Sequence, residues 1–161
     1  TESEHLPDFQ RFGYITAFGE GWALYAETLG RDMGLFEDPL QYIGFLHSRL
    51  FRANRLVIDT GLHAKGWSRE QAIRYFLDNS PMSEADATAE VERYIAWPGQ
   101  ALAYMTGALE IQRLREHAER ELGPRFDLRA FHDEVLGDGI IPLPVLQTKI
   151  ERWIQAARFP M

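Results

Sequence analysis

The sequence predicts an all-α protein, a compact multi-helix array, on three observations. Apolar residues recur at spacings of three and four along most of the chain. Capping residues, prolines and glycines fall between those runs, where helices would start and stop. No run alternates apolar and polar residues as a half-buried strand would. At 161 residues and 45% hydrophobic, the chain is long enough to bury one real core, so residues 1–161 read as a single helical domain.

In chain order, a first helix is expected over about 15–33, with Phe18, Trp22, Tyr25, Leu29 and Met33 as its apolar stripe. Gly34 serves as its stop. Asp38-Pro39 opens the next, an N-cap followed by Pro at the first helical position. That helix carries Ile43, Leu46, Leu50 and Val57 on one face and is expected to reach about Thr60, with Gly61 closing it. Ser68 and Gln71 form a capping box for a short helix ending near Asn79. Ser80-Pro81 breaks the chain, and Ser83 caps a helix to about Ala96. After Trp97-Pro98-Gly99 a long helix is expected over Gln100–Leu122, stopped by Gly123-Pro124. Asp127 caps another, to about Leu136, and the last runs from about Leu143 to Ala157.

Composition removes several function classes. There is no cysteine, which excludes disulfides and thiolate metal sites. Formal net charge is −7 and the basic residues are dispersed, whereas nucleic-acid binding needs a concentrated basic face. No apolar stretch reaches the ~18 residues of a membrane span. Of the 17 basic residues all but Lys65 and Lys149 are Arg, the cation best suited to forked pairing with carboxylates. The chain starts at Thr1 in a polar run with neither initiator Met nor signal-like segment, and is therefore expected to be a piece of a longer protein.

Three groups place polar residues where a plain helical core would not. Glu20 and Glu27 stand seven apart on one helix face, among Trp22, Leu24 and Tyr25. Carboxylates there are solvated, salt-bridged or coordinating a cation, because an unpaired one in apolar surroundings is costly. Arg52, Arg55, Asp59 and His63 follow steps of three and four and project from one side. Arg55 can pair with Asp59, and Asp59 can orient the His63 imidazole as an oxyanion donor or metal ligand; a plain ladder of salt bridges has the same spacing. The third group is Glu92-Arg93-Tyr94 with Tyr104, whose phenol follows the Pro98-Gly99-Gln100 turn and could donate to a tetrahedral intermediate or simply pack. His47 and His117 lie on polar faces, His5 lies in the N-terminal tail, and His132 could be a core imidazole satisfied by a neighbour. No H-E-x-x-H, G-x-S-x-G, P-loop or G-x-G-x-x-G occurs.

The string Phe18-Gly19-Glu20-Gly21-Trp22-Ala23-Leu24-Tyr25-Ala26-Glu27 resembles the signature of the bacterial family called domain of unknown function 885. The similarity continues through Arg55-Leu56-Val57-Ile58-Asp59-Thr60-Gly61-Leu62-His63 and Glu92-Arg93-Tyr94. It then takes in Pro98-Gly99-Gln100-Ala101 with Tyr104, Phe131-His132-Asp133-Glu134-Val135-Leu136 and Pro142-Leu143. The resemblance implies a gluzincin-type zinc metallopeptidase, mostly helical and several times longer than this chain. Its zinc would be held by two His of an upstream helix and by a Glu that corresponds to Glu20. It further implies His63 and Tyr104 as groups near the metal-bound water and substrate carbonyl. Arg55, Asp59 and Arg93 would support them or orient substrate, and Glu27 would hold a ligand or an Arg.

The expected function is therefore that of a C-terminal fragment of a zinc-dependent peptidase acting on peptides. It lacks the upstream His-Glu helix and is inactive alone, since zinc peptidase chemistry takes three protein ligands and a water. The alternative is a non-catalytic helical binding or scaffolding module. A carboxylate-bridged iron oxidoreductase would want Glu-x-x-His on two helices, and only Glu2 and His5 match. A fragment of this kind could also form a homodimer through exposed apolar surface. The resemblance points to a bacterial source and leaves the compartment open.

Overall fold

The computed structural model describes residues 6–159, and His5 with Glu2 lies outside them. Eight α-helices run in order: α1 (Asp8–Phe12), α2 (Thr16–Asp32), α3 (Pro39–Ala64), α4 (Arg69–Asn79), α5 (Glu84–Ala96), α6 (Ala103–Leu122), α7 (Leu128–Leu136) and α8 (Leu143–Arg158). Single 3₁₀ turns precede and follow α6, at Gln100–Leu102 and Gly123–Arg125. Among the described residues there is no strand, and the all-α expectation holds.

The caps act as their chemistry dictates. The Asp38 carboxylate accepts from the Leu40 N–H at 2.8 Å while Gln41 reaches back to the Asp38 N–H. Ser68 and Gln71 form the reciprocal box at the start of α4. Ser83 accepts from the Asp86 N–H and Asp127 from the Ala130 N–H, each relieving a donor that the first helical turn leaves unpaired.

Three boundaries differ from expectation. α1 was not anticipated: five residues carry too little periodicity to register. The long helix expected from Gln100 opens instead as a 3₁₀ turn. Gly61 does not close α3, which continues four residues further than the expected end at Thr60, to Ala64. Its role is contact, not termination: a Cβ at Gly61 would stand 2.5 Å from the Trp67 indole, which packs on the bare backbone there. Lys65 and then Gly66, at φ +68°, end the helix.

The residues divide into two compact units. One comprises residues 1–25 and 107–161, its core built from Phe18, Leu24 and Tyr25 of α2, Ile111 and Leu114 of α6, Phe131 of α7, and Leu146 and Ile150 of α8. Within it α2 and α6 meet backbone to backbone. A Cβ on Gly107 would lie 1.8 Å from the Ala17 carbonyl oxygen, and one on Gly21 only 2.4 Å from the Gly107 Cα. The other unit, residues 26–106, buries Ile58 of α3, Phe76 of α4, Val91 and Tyr94 of α5, and Ala101. Two expected stripes are only partly buried. Met33 is exposed, and so are Ile43, Leu46, Leu50 and Val57, because α3 turns the face bearing Asn54, Arg55, Ile58 and Asp59 inward instead.

Candidate functional site

Within the unit of residues 26–106, the polar centre is Glu90, which the sequence pattern does not single out. It lies three residues before Arg93 and four before Tyr94 on α5, so all three share one face. Arg93 donates to both Glu90 oxygens, at 3.3 and 2.9 Å, and the Tyr94 hydroxyl donates at 2.6 Å. Arg55 of α3 reaches across to the same carboxylate at 3.2 Å. Burial pushes the Glu90 carboxyl up, but the bonds from Arg93 and Tyr94 and the Arg55 charge outweigh it, and its pKa falls below the usual value. Burial, then donation to Glu90, raises the Tyr94 phenol above its ordinary range.

The spacing along α3 lets Arg55 pair with Asp59; the structure pairs it with Glu90 instead. Its guanidinium lies 4.1 Å from the Phe51 ring centroid and 5.0 Å from that of Tyr104, with Nε buried and without a hydrogen-bond partner. Flat aromatic faces suit a delocalised cation and leave the fork free to meet a carboxylate edge-on. Asp59, 2% exposed, also departs from its expected role. Both carboxylate oxygens accept from the Gly99 N–H, at 3.0 and 3.1 Å, rather than orienting His63. Gly99 has φ +80°, a conformation that side chains resist, so the bond fixes the turn that leads into Tyr104.

His63, near the exposed end of α3, bonds through Nε2 to the Tyr94 carbonyl oxygen at 3.1 Å. The carbonyl can only accept, so Nε2 carries the proton, and Nδ1 has no hydrogen-bond partner among the described residues. The half-buried Tyr104 has no hydrogen-bond partner for its hydroxyl among the described residues. Arg93 completes its set with Gln100 Oε1 at 2.8 Å. Arg52, from the same expected group, holds the Ser48 side chain and carbonyl on its own helix. Thus Arg55, Arg93 and Tyr104 come together, while Asp59 and His63 each tie down a backbone group beside them.

Glu20 belongs to the other unit. It is half-buried on α2, next to Gly21, and has no hydrogen-bond or ion-pair partner among the described residues. Glu27 is exposed and lines an apolar groove of about 420 Å³ with Gly30, Phe36, Phe45 and Ser48. His132 does prove to be a core imidazole with a neighbour: its Nε2 accepts from the Tyr25 hydroxyl at 2.9 Å, and Arg115 donates to that hydroxyl at 3.4 Å. Burial, and next the Arg115 charge, lower the His132 pKa, which keeps the ring neutral and able to accept.

A catalytic zinc takes three protein ligands. Among the described residues no three His, Asp or Glu side chains lie together as such a set. The described residues by themselves do not form a zinc centre.

The family of bacterial proteins of unknown function designated DUF885 matches residues 1–150. The chain belongs to the DUF885 family. The chain is similar to a solved protein, "the putative lipoprotein from Colwellia psychrerythraea", at 49% identity and a TM-score of 0.88. The likeness covers 91% of this chain and 25% of that one, so the chain spans about a quarter of the length of the solved protein it matches. No curated protein matches it.

Proposed function

We propose that this DUF885 chain is part of a longer zinc-dependent peptidase, to which it contributes one metal-ligand carboxylate, Glu20. The observation that carries the reading is the state of that side chain. A half-buried carboxylate with no partner among the described residues lacks the compensation such groups normally have, and a cation would supply it. Its helix is held by the glycine contact at Gly21 and Gly107, which suits a ligand that must keep its position. The signature around Glu20 supports the same assignment. The two His ligands and the proton-accepting Glu would come from sequence beyond this chain.

In this reading Tyr104 and His63 serve peptide substrate, Tyr104 through its unpartnered hydroxyl and His63 through its open Nδ1. Arg55 and Arg93 act as positioning residues, one stacked against the Tyr104 ring and the other braced on Glu90 and Gln100. Asp59 holds the turn that precedes Tyr104. The exposed Glu27 is assigned no ligand.

The test is the full-length polypeptide carrying Glu20→Gln. Bound zinc measured by elemental analysis is expected to fall from about one per chain, and peptide cleavage to fall about 100-fold or more. Unchanged zinc and turnover would remove Glu20 from the metal. A second reading, a non-catalytic helical binding module, is favoured by the internal pairing of Arg55, Asp59 and Arg93, which is what a purely structural network would look like. A full-length protein that purifies without zinc and cleaves no peptide would establish that second reading in place of the first.

A further inference from the structure

Two arginines in the unit of residues 26–106 share a single carboxylate. Arg55 reaches Glu90 through Nη2 at 3.2 Å, and Arg93 meets both Glu90 oxygens. Asp59, also buried, is bonded at both oxygens to the Gly99 N–H and pairs with neither guanidinium. One guanidinium charge is left over.

That surplus is available at Arg55. The nitrogens of Arg93 are all engaged, Nε and Nη2 on Glu90 and Nη1 on Gln100. In Arg55, Nε is buried without a partner, whereas Nη1 is unpaired among the described residues and not buried. The side chain as a whole is only 9% exposed, so Nη1 is the unpaired donor that a ligand can reach. The Phe51 and Tyr104 rings, 4.1 and 5.0 Å away, keep the guanidinium in one plane, which lowers the cost of ordering it on binding. The hydroxyl of that same Tyr104 has no partner either. An unpaired N–H and an unpaired O–H thus stand on adjoining side chains.

This pattern selects a ligand class. A neutral carbonyl would leave the surplus charge uncompensated. A phosphate monoester carries close to two charges and three acceptor oxygens, more than one guanidinium end and one phenol can serve. A carboxylate has one charge and two oxygens, and its bonds to a guanidinium are charge-assisted.

We propose that Arg55 and Tyr104 form a binding subsite for a carboxylate of the peptide substrate, its free C-terminus or an acidic side chain. The peptide source rests on the peptidase reading; the carboxylate chemistry does not.

Three small probes separate these features in the full-length polypeptide. They are N-acetylalanine, its neutral amide, and the α-amide of N-acetylglutamate, whose only carboxylate is on the side chain. Dissociation constants are read by ligand-observed NMR. The better of the two acids is expected to bind at least about tenfold more tightly than the neutral amide, the scale of one charge-assisted hydrogen bond. Which acid that is assigns the carboxylate to the chain end or to a side chain. Tyr104→Phe and Arg55→Lys, the second of which keeps the charge but loses the fork, should each cut the preference about threefold or more. Affinity for the neutral amide should stay as it was, whereas a folding defect would weaken all three probes together. Equal binding of acids and amide by the unsubstituted protein overturns the proposal, and so does a full preference retained in Tyr104→Phe. A preference for acids in a protein that binds no zinc would leave the subsite standing and remove the peptidase reading alone. Zinc and peptide cleavage without that preference would do the reverse.

Discussion

His132 and Glu90 show how single ionisable groups tie this fold to pH, and they do so with opposite chemistry. His132 must be neutral to accept from Tyr25, and burial together with Arg115 lowers its pKa from the ordinary value of 6.5. The unfolded chain therefore binds a proton more readily than the folded one, so its stabilising contribution is complete above about pH 7 and declines as pH falls below 6.5 toward the lower folded value. His132→Gln keeps a neutral acceptor for Tyr25 and should flatten this dependence. Urea midpoints at pH 7.5 and 5 check it: an equally steep loss in the variant would assign the effect elsewhere. Glu90 is the reverse case, with a lowered pKa whose contribution is complete above the unfolded carboxylate range and is lost only in stronger acid. Glu90→Gln leaves Arg55 and Arg93 without their shared charge. At 23% exposure of the Glu90 side chain, solvent screening limits the expected cost to about 2–3 kcal/mol, read from denaturant unfolding at pH 7.

At the scale of elements, glycine decides how closely helices approach. The Gly107 hydrogen faces the Ala17 carbonyl, a backbone atom that cannot swing aside, so Gly107→Ala must push α2 and α6 apart. The expected penalty is about 3 kcal/mol or more, at the upper end of overpacking, which lowers Tm by roughly 6–12 °C. A methyl group added at Gly44 of α3 would meet nothing within 4 Å, and Gly44→Ala is expected to be neutral or slightly stabilising. Paired thermal melts test both, and equal behaviour of the two variants would contradict the close-contact account. Under the proposed zinc reading the α2–α6 contact also bears on the metal, since Glu20 precedes Gly21. A variant that folds with its helices displaced should lose zinc in the full-length protein even though Glu20 is intact.

At the scale of the whole molecule, the chain holds one candidate ligand and no complete set among the described residues. The isolated 161-residue chain is therefore expected to retain no stoichiometric zinc after dialysis, as read by elemental analysis. Retention of about one zinc per chain would require a ligand set that the described residues do not form.

The order of α2 to α8 and four helix N-caps were legible in the sequence, because Asp38, Ser68, Ser83 and Asp127 act on N–H groups two or three residues away. The signature around Glu20 was legible too, as was the family. Local chemistry determines these things. Partners distant in the chain are another matter. The periodicity of α3 marks Ile43, Leu46, Leu50 and Val57 as apolar, but only the folded chain decides that Arg55, Ile58 and Asp59 turn inward and that stripe stays uncovered. The sequence offered Asp59 to both Arg55 and His63; the fold gave Arg55 to Glu90, 35 residues away, and Asp59 to Gly99, 40 residues away. Spacing along one helix lists the pairs that could form, whereas the choice among them follows from which other helices pack alongside and which buried donors most need a charge.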